Sequence, residues 1–132
     1  NTGTVAKKLA DMLKTMGAPK VAVADLARDD MAEVIEDAFR YDRMVLASVT
    51  YDAGLFPAME SLLARLKSKN YQKRTVGLIE NGSWAPMAGK IMKETLAGMK
   101  EITVLEPVVT VKSTLQTDSE AQLQALAEAL LA

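Results

Sequence analysis

Three short stretches of this sequence collect residues that can hold a ligand. The first is Asn1-Thr2-Gly3-Thr4. An apolar helical pattern follows it, so its hydroxyls and amide would stand beside the free N–H groups and positive dipole end of a helix, an arrangement that holds phosphate. The same residues also serve as a plain helix cap. The second is Ser48-Val49-Thr50-Tyr51-Asp52-Ala53-Gly54, which offers hydroxyls, an aromatic ring, a carboxylate and a permissive glycine. The third is Asn81-Gly82-Ser83-Trp84, with the sole tryptophan of the chain. That indole suits a flat ligand, and it equally suits a core or an interface.

The rest of the composition narrows the chemistry. The chain has 132 residues and neither cysteine nor histidine. Disulfides, thiolate-held metals, cysteine nucleophiles and histidine-based triads are therefore excluded. A carboxylate-only metal site has no visible motif. With 16 basic and 17 acidic residues the net charge is -1, without the basic surplus that nucleic-acid binding needs. No apolar run approaches the roughly 20 residues of a membrane span, and no signal peptide is visible. These features fit a cytoplasmic protein that binds a ligand or draws its chemistry from a cofactor.

The elements that must position the three stretches alternate. Thr4 to Met16 has the spacing of an amphipathic helix, stopped by Gly17 and Pro19. Val21-Ala22-Val23 reads as a short strand. Asp29 or Asp30 caps a helix with Met31, Val34, Ile35, Ala38 and Phe39 on one face. Met44 to Val49 is a buried strand, and Phe56 to Lys69 a helix with Pro57 in its first turn. Thr75 to Ile79 is a strand, and Pro86 opens a helix carrying Met87, Ile91, Met92 and Leu96. Ile102 to Leu105 is a strand that Val108 to Val111 extends. Asp118 caps a last helix with Leu123, Leu126 and Leu130 inside.

Such alternation specifies one domain over residues 1–132, with a parallel sheet covered on both faces. In open sheets of this class, ligands bind beyond the carboxyl ends of the strands. The second and third stretches follow strands. The first looks like the turn after a strand, so one strand is missing. If that strand is central, its neighbours face a gap with unpaired backbone groups, which is costly. The expectation is a piece of a longer protein. Lys7, Lys8, Lys67 and Lys69 read as solvated helix faces, Glu33, Glu36 and Asp37 as surface charge, and the eight methionines as packing.

Together the three stretches resemble the flavodoxin family. Asn1-Thr2 matches the end of its phosphate loop, Ser/Thr-x-x-Gly-Asn-Thr. Ser48 to Gly54, continued by Leu55-Phe56-Pro57-Ala58-Met59, is similar to the Gly-Ser-Pro-Thr-Tyr-Asn-x-Gly stretch of the flavodoxin-like domain in flavodiiron proteins. Asn81-Gly82-Ser83-Trp84-Ala85-Pro86 resembles a shortened Gly-Ser-Tyr-Gly-Trp-Ser-Gly loop, and Leu105-Glu106-Pro107 through Lys112 is typical of that branch. Val49 stands where the family usually carries proline, and Ala47 where it usually carries glycine.

The resemblance implies a flavodoxin-like three-layer α/β/α fold with a parallel sheet of order 2-1-3-4-5, its first strand missing from this chain. It implies FMN as cofactor and electron transfer as function, with no complete catalytic site of the chain's own. Asn1, Thr2, Gly3 and Thr4 would hold the phosphate. Ser48, Val49, Thr50, Tyr51, Asp52 and Gly54 would line one side of the flavin ring, and Asn81, Gly82, Ser83 and Trp84 the other, with Trp84 stacking. Carboxylates such as Asp52 and Glu80 would disfavour the anionic reduced flavin and lower its potential. The implied partner is a redox protein or an upstream metal-containing domain, and a homodimer is compatible. The competing readings are a free-standing flavodoxin and a flavin-free interaction or dimerisation module. A net charge of -1 is mild for a free-standing flavodoxin, where strong acidity is usual.

Overall fold

A computed structural model of the chain describes residues 2–51, 54–81, 88–105, 108–111 and 117–132. The sheet is built on two long parallel strands. β1 (Arg43–Tyr51) pairs with β3 (Arg74–Asn81) from Arg43↔Thr75 to Val49↔Asn81. β2 (Gly54–Leu55) folds back antiparallel on the end of β1. On the far side of β3, β4 (Ile102–Val104) pairs with its start and β5 (Val109–Val111) with its end. These are two halves of one broken edge strand, as the sequence pattern around Pro107 suggests.

The helices are α1 (Thr2–Thr15), α2 (Met31–Arg40), α3 (Pro57–Ser68), α4 (Ala88–Ala97) and α5 (Thr117–Leu131). They form the two outer layers, because strand side chains alternate in direction. Leu46, Val76 and Leu78 point into a core closed by Ile35 and Ala38 of α2, Met59, Leu62, Leu63 and Leu66 of α3, and Met92 and Leu96 of α4. Ile79, Val109 and Val111 point the other way, against Val5 and Leu9 of α1 and Leu123, Leu126 and Leu130 of α5. Gly77 lets α5 approach closely, since a Cβ there would lie 2.7 Å from Leu126 Cδ1.

The chain ends of the helices follow local rules. Pro57 occupies the first turn of α3, where its missing N–H costs nothing. α3 closes on a Schellman motif: Tyr71 N–H donates to Leu66 O (3.0 Å) and Asn70 N–H to Lys67 O (3.1 Å), with Asn70 left-handed at φ 60. Asp30 does take the N-cap position of α2 but makes no side-chain cap bond. The Asp29 carboxylate turns back to accept from Asp25 N–H at 2.6 Å.

Two sequence expectations change. Val21-Ala22-Val23 is not a strand, and Val23 is 52% exposed. A strand is stabilised by its neighbour's hydrogen bonds, and no strand among the described residues pairs with this segment. Correspondingly, the second edge of β1 over Arg43–Val49 has no strand partner among the described residues, which is the expected gap. The strand order β2-β1-β3-β4 thus reproduces the 3-4-5 side of the expected sheet, with a short hairpin strand in addition. Finally, β1 runs on through Thr50 and Tyr51 and β3 through Glu80 and Asn81, so parts of the second and third stretches are strand rather than loop. Val49 permits this, because a proline there would remove a ladder donor.

Candidate functional site

The carboxyl ends of β1 and β3 are locked side by side. Ser48 is in register with Glu80, and Val49 with Asn81. The second and third polar stretches therefore leave the sheet from adjacent positions, one strand spacing of about 4.8 Å apart. On the other side of β3, Glu80 faces Thr110 and Asn81 faces Val111. The Thr110 N–H donates to Gln122 Oε1 at 3.1 Å, which ties the start of α5 to the same end of the sheet.

The first stretch arrives there too. Lys8 of α1 forms an ion pair with Glu120 near the start of α5. Eight residues on, Met16 accepts a contact from Gln124, further along α5. The two helices therefore advance together, and their N-termini share one end. Since α5 follows β5, that end is the carboxyl end of the sheet. Gly3, in the first turn of α1, is exposed.

Ser48 and Glu80 are the two buried polar side chains among the described residues, at 4% and 8% exposure. They are buried beside each other at the strand ends from which the second and third polar stretches leave the sheet. The Glu80 carboxylate lies against the first turn of α4: a Cβ added to Gly89 would sit 2.6 Å from Glu80 Oε2 and 2.9 Å from Val108 Cγ1. Glycine is what lets α4 start this close to the acid. Sequence reading named Ser48 as a site residue but treated Glu80 only as a carboxylate near the site. The signal for its burial was its place directly after the apolar run Val76-Gly77-Leu78-Ile79.

Of the sequence-predicted residues, the structure brings together Ser48, Val49, Thr50, Tyr51 and Gly54 at the end of β1 and its hairpin, and Asn81 at the end of β3. Thr2, Gly3 and Thr4 form the first turn of α1. Asn1, Asp52, Gly82, Ser83 and Trp84 lie outside the described residues. No helix among the described residues is long and apolar enough to cross a membrane.

No protein-family model matches the sequence, and no curated protein matches it. Solved structures do. The chain superposes on rubredoxin:oxygen oxidoreductase from Desulfovibrio gigas with a TM-score of 0.90 at 20% identity, over 98% of this chain and 32% of that one. For the flavodiiron protein of Giardia intestinalis the TM-score is 0.86 at 18% identity, over 98% and 32%. For a flavodoxin from the domain Archaea it is 0.81 at 18% identity, over 98% and 87%. The fold is flavodoxin-like and close to the corresponding part of flavodiiron proteins, and the chain spans about a third of the length of the latter.

Proposed function

We propose that this chain is an FMN-binding electron-transfer domain of a larger flavodiiron-type protein. The observation that carries the reading is the register of β1 and β3. It sets Ser48 beside Glu80 and Val49 beside Asn81, so the second and third polar stretches leave the carboxyl end of a flavodoxin-like sheet from adjacent strands, where ligands of such sheets bind. The start of α1 lies at the same end, and a helix N-terminus suits a phosphate without a full positive charge.

In this assignment Asn1, Thr2 and the N–H groups of Gly3 and Thr4 hold the phosphate. Ser48, Val49, Thr50, Tyr51, Asp52 and Gly54 bound one side of the ring. Asn81, Gly82, Ser83 and Trp84 bound the other, with Trp84 as the stacking face. The bound flavin supplies the redox chemistry, and the protein supplies placement and exclusion of water. The donor set fits an uncharged ring carrying a phosphate tail: hydroxyls, amides and backbone N–H groups. The electron partner is a redox protein or a metal-bearing domain of the same polypeptide, the setting is cytoplasmic, and a homodimer is compatible.

A flavin-free interaction module is the second reading, favoured by the edge of β1 at Arg43–Val49 that has no strand partner among the described residues. Titration with FMN separates the two. The first reading expects saturable quenching of flavin fluorescence, weakened in Trp84→Ala. The absence of quenching, both in this chain and in a longer form that supplies a strand beside β1, would favour the module.

A further inference from the structure

Between them α2 and α3 border an open groove of about 590 Å³, which runs along α2 from Ala32 to Arg40 and takes Arg65 and Lys69 from the end of α3. Its floor is apolar, made by Ala32, the buried Ile35 and the half-buried Phe39. Its rim holds three exposed cations, Arg40, Arg65 and Lys69, against one exposed anion, Glu36. We propose that this groove docks an acidic amphipathic helix of a partner protein or domain, with an apolar side chain on Phe39 and carboxylates on the rim.

Charge complementarity carries the inference. Cations suit helix C-terminal turns, which accounts for one on each helix. Here the cations of two helices converge on one apolar floor. Among the described residues Arg65 and Lys69 make no ion pair, while Arg40 shares Asp37 at 3.2 Å on an exposed face. A further positive charge lies behind the floor. The Arg74 guanidinium sits 6.0 Å from the Phe39 ring centroid and 5.2 Å from that of Tyr71. Its hydrogen bonds go to the carbonyls of Phe39 (2.9 Å), Tyr41 (2.9 Å) and Gln72 (2.7 Å), which satisfy its geometry without neutralising its charge. The nearby Asp42 is occupied by Arg43 at 3.9 Å. A chain of net charge -1 thus keeps a local basic surplus around an apolar floor. A helix laid in a groove with alternating apolar anchors and flanking charge is the recognition mode that matches it. The groove's cations sit at the C-terminal ends of α2 and α3, which lead into the starts of β1 and β3, so the carboxyl-end site stays clear of them.

The test uses this chain and a fluorescein-labelled, hydrocarbon-stapled helical peptide of two heptads, with leucine at the first and fourth positions, glutamate at the positions flanking them and alanine elsewhere. Binding is read by fluorescence polarisation, and its location by amide chemical-shift mapping. The expected result is saturable binding that shifts Ala32, Ile35, Glu36, Phe39, Arg40, Arg65 and Lys69. It weakens on the order of tenfold in Arg65→Glu/Lys69→Glu and falls with added salt. Both substitutions are on exposed positions, so the fold is retained, and the circular dichroism spectrum checks this. Absence of binding, shifts confined to another face, or equal binding by a scrambled peptide of the same composition would each overturn the proposal. The last outcome would mean diffuse charge attraction in place of a shaped groove.

Discussion

Replacing Gly89 by alanine sets a small helix-forming gain against a steric cost at the site. The added methyl would lie 2.6 Å from Glu80 Oε2, 3.0 Å from Glu80 Cδ and 2.9 Å from Val108 Cγ1. Favourable contact between carbon atoms lies near 3.5–4.0 Å, so each neighbour must retreat by roughly half an ångström or more. Val108 is β-branched and stiff at χ1. Glu80 has a flexible end but is buried, with few directions to move. Alanine gains about 1 kcal/mol over glycine in a helix interior and less in a first turn. Overpacking costs about 1–3 kcal/mol. The net expectation is a loss of about 1–2 kcal/mol. The assay is equilibrium urea unfolding followed by far-ultraviolet circular dichroism, with Gly89→Ala, Glu80→Ala and the double variant as a cycle. Removing the Glu80 side chain deletes two of the three short contacts. The double variant should therefore be more stable than the sum of the single losses predicts, with a coupling of roughly 1 kcal/mol. A Gly89→Ala protein as stable as the parent, or strictly additive losses, would refute the packing of α4 on the Glu80 carboxylate.

Other consequences follow from the opposite end of the fold. Arg74→Lys keeps the charge but loses the planar fork that reaches three carbonyls, so denaturation should show a loss of about 2–4 kcal/mol, and a loss under about 0.5 kcal/mol would contradict the fork's role. Burial pushes the Tyr71 phenol up from 10.0 to about 12, with Arg74 opposing the rise. The folded state thus disfavours the phenolate. Stability from Tyr71 is complete below the unfolded pKa near 10 and is lost as the pH climbs towards 12. A pH series of unfolding midpoints should show this decline in the parent and a reduced one in Tyr71→Phe. Gly77→Ala should destabilise by about 1–2 kcal/mol through the 2.7 Å approach to Leu126 Cδ1, and pairing it with Leu126→Ala should cost less than the two separate losses combined.

Much of the architecture was legible because the apolar periods are unambiguous. Leu46 and Val76 on one face, with Ile79 and Val109 on the other, are what a sheet covered on both sides requires. Val21-Ala22-Val23 misled, because a short apolar run records burial or pairing only when a neighbour exists to provide it. The continuation of β1 through Tyr51 depended on pairing with β3 as far as Val49 and on the short hairpin beyond, partners that local composition does not reveal. Ser48 was readable as a site residue from its place at a strand end. Its neighbour Glu80 was readable as a carboxylate near the site, while its place directly beside Ser48 came only with the inter-strand register. Arg74 carried no local signal, because two of its three acceptors, Phe39 and Tyr41, lie 35 and 33 residues away around the end of α2, and only Gln72 is a sequence neighbour. Lys69 reads as a solvated charge in sequence, and only the approach of α2 gives it a groove to border.

The most direct test of the central claim is an amide chemical-shift titration of this chain with FMN. The expected result is saturation at one flavin per chain, with shifts at Ser48, Val49 and Asn81 and in the first turn of α1, and quiet signals at Arg40, Arg65 and Lys69. Shifts spread over the α2–α3 face, or no change at the strand ends when flavin is in excess, would contradict it.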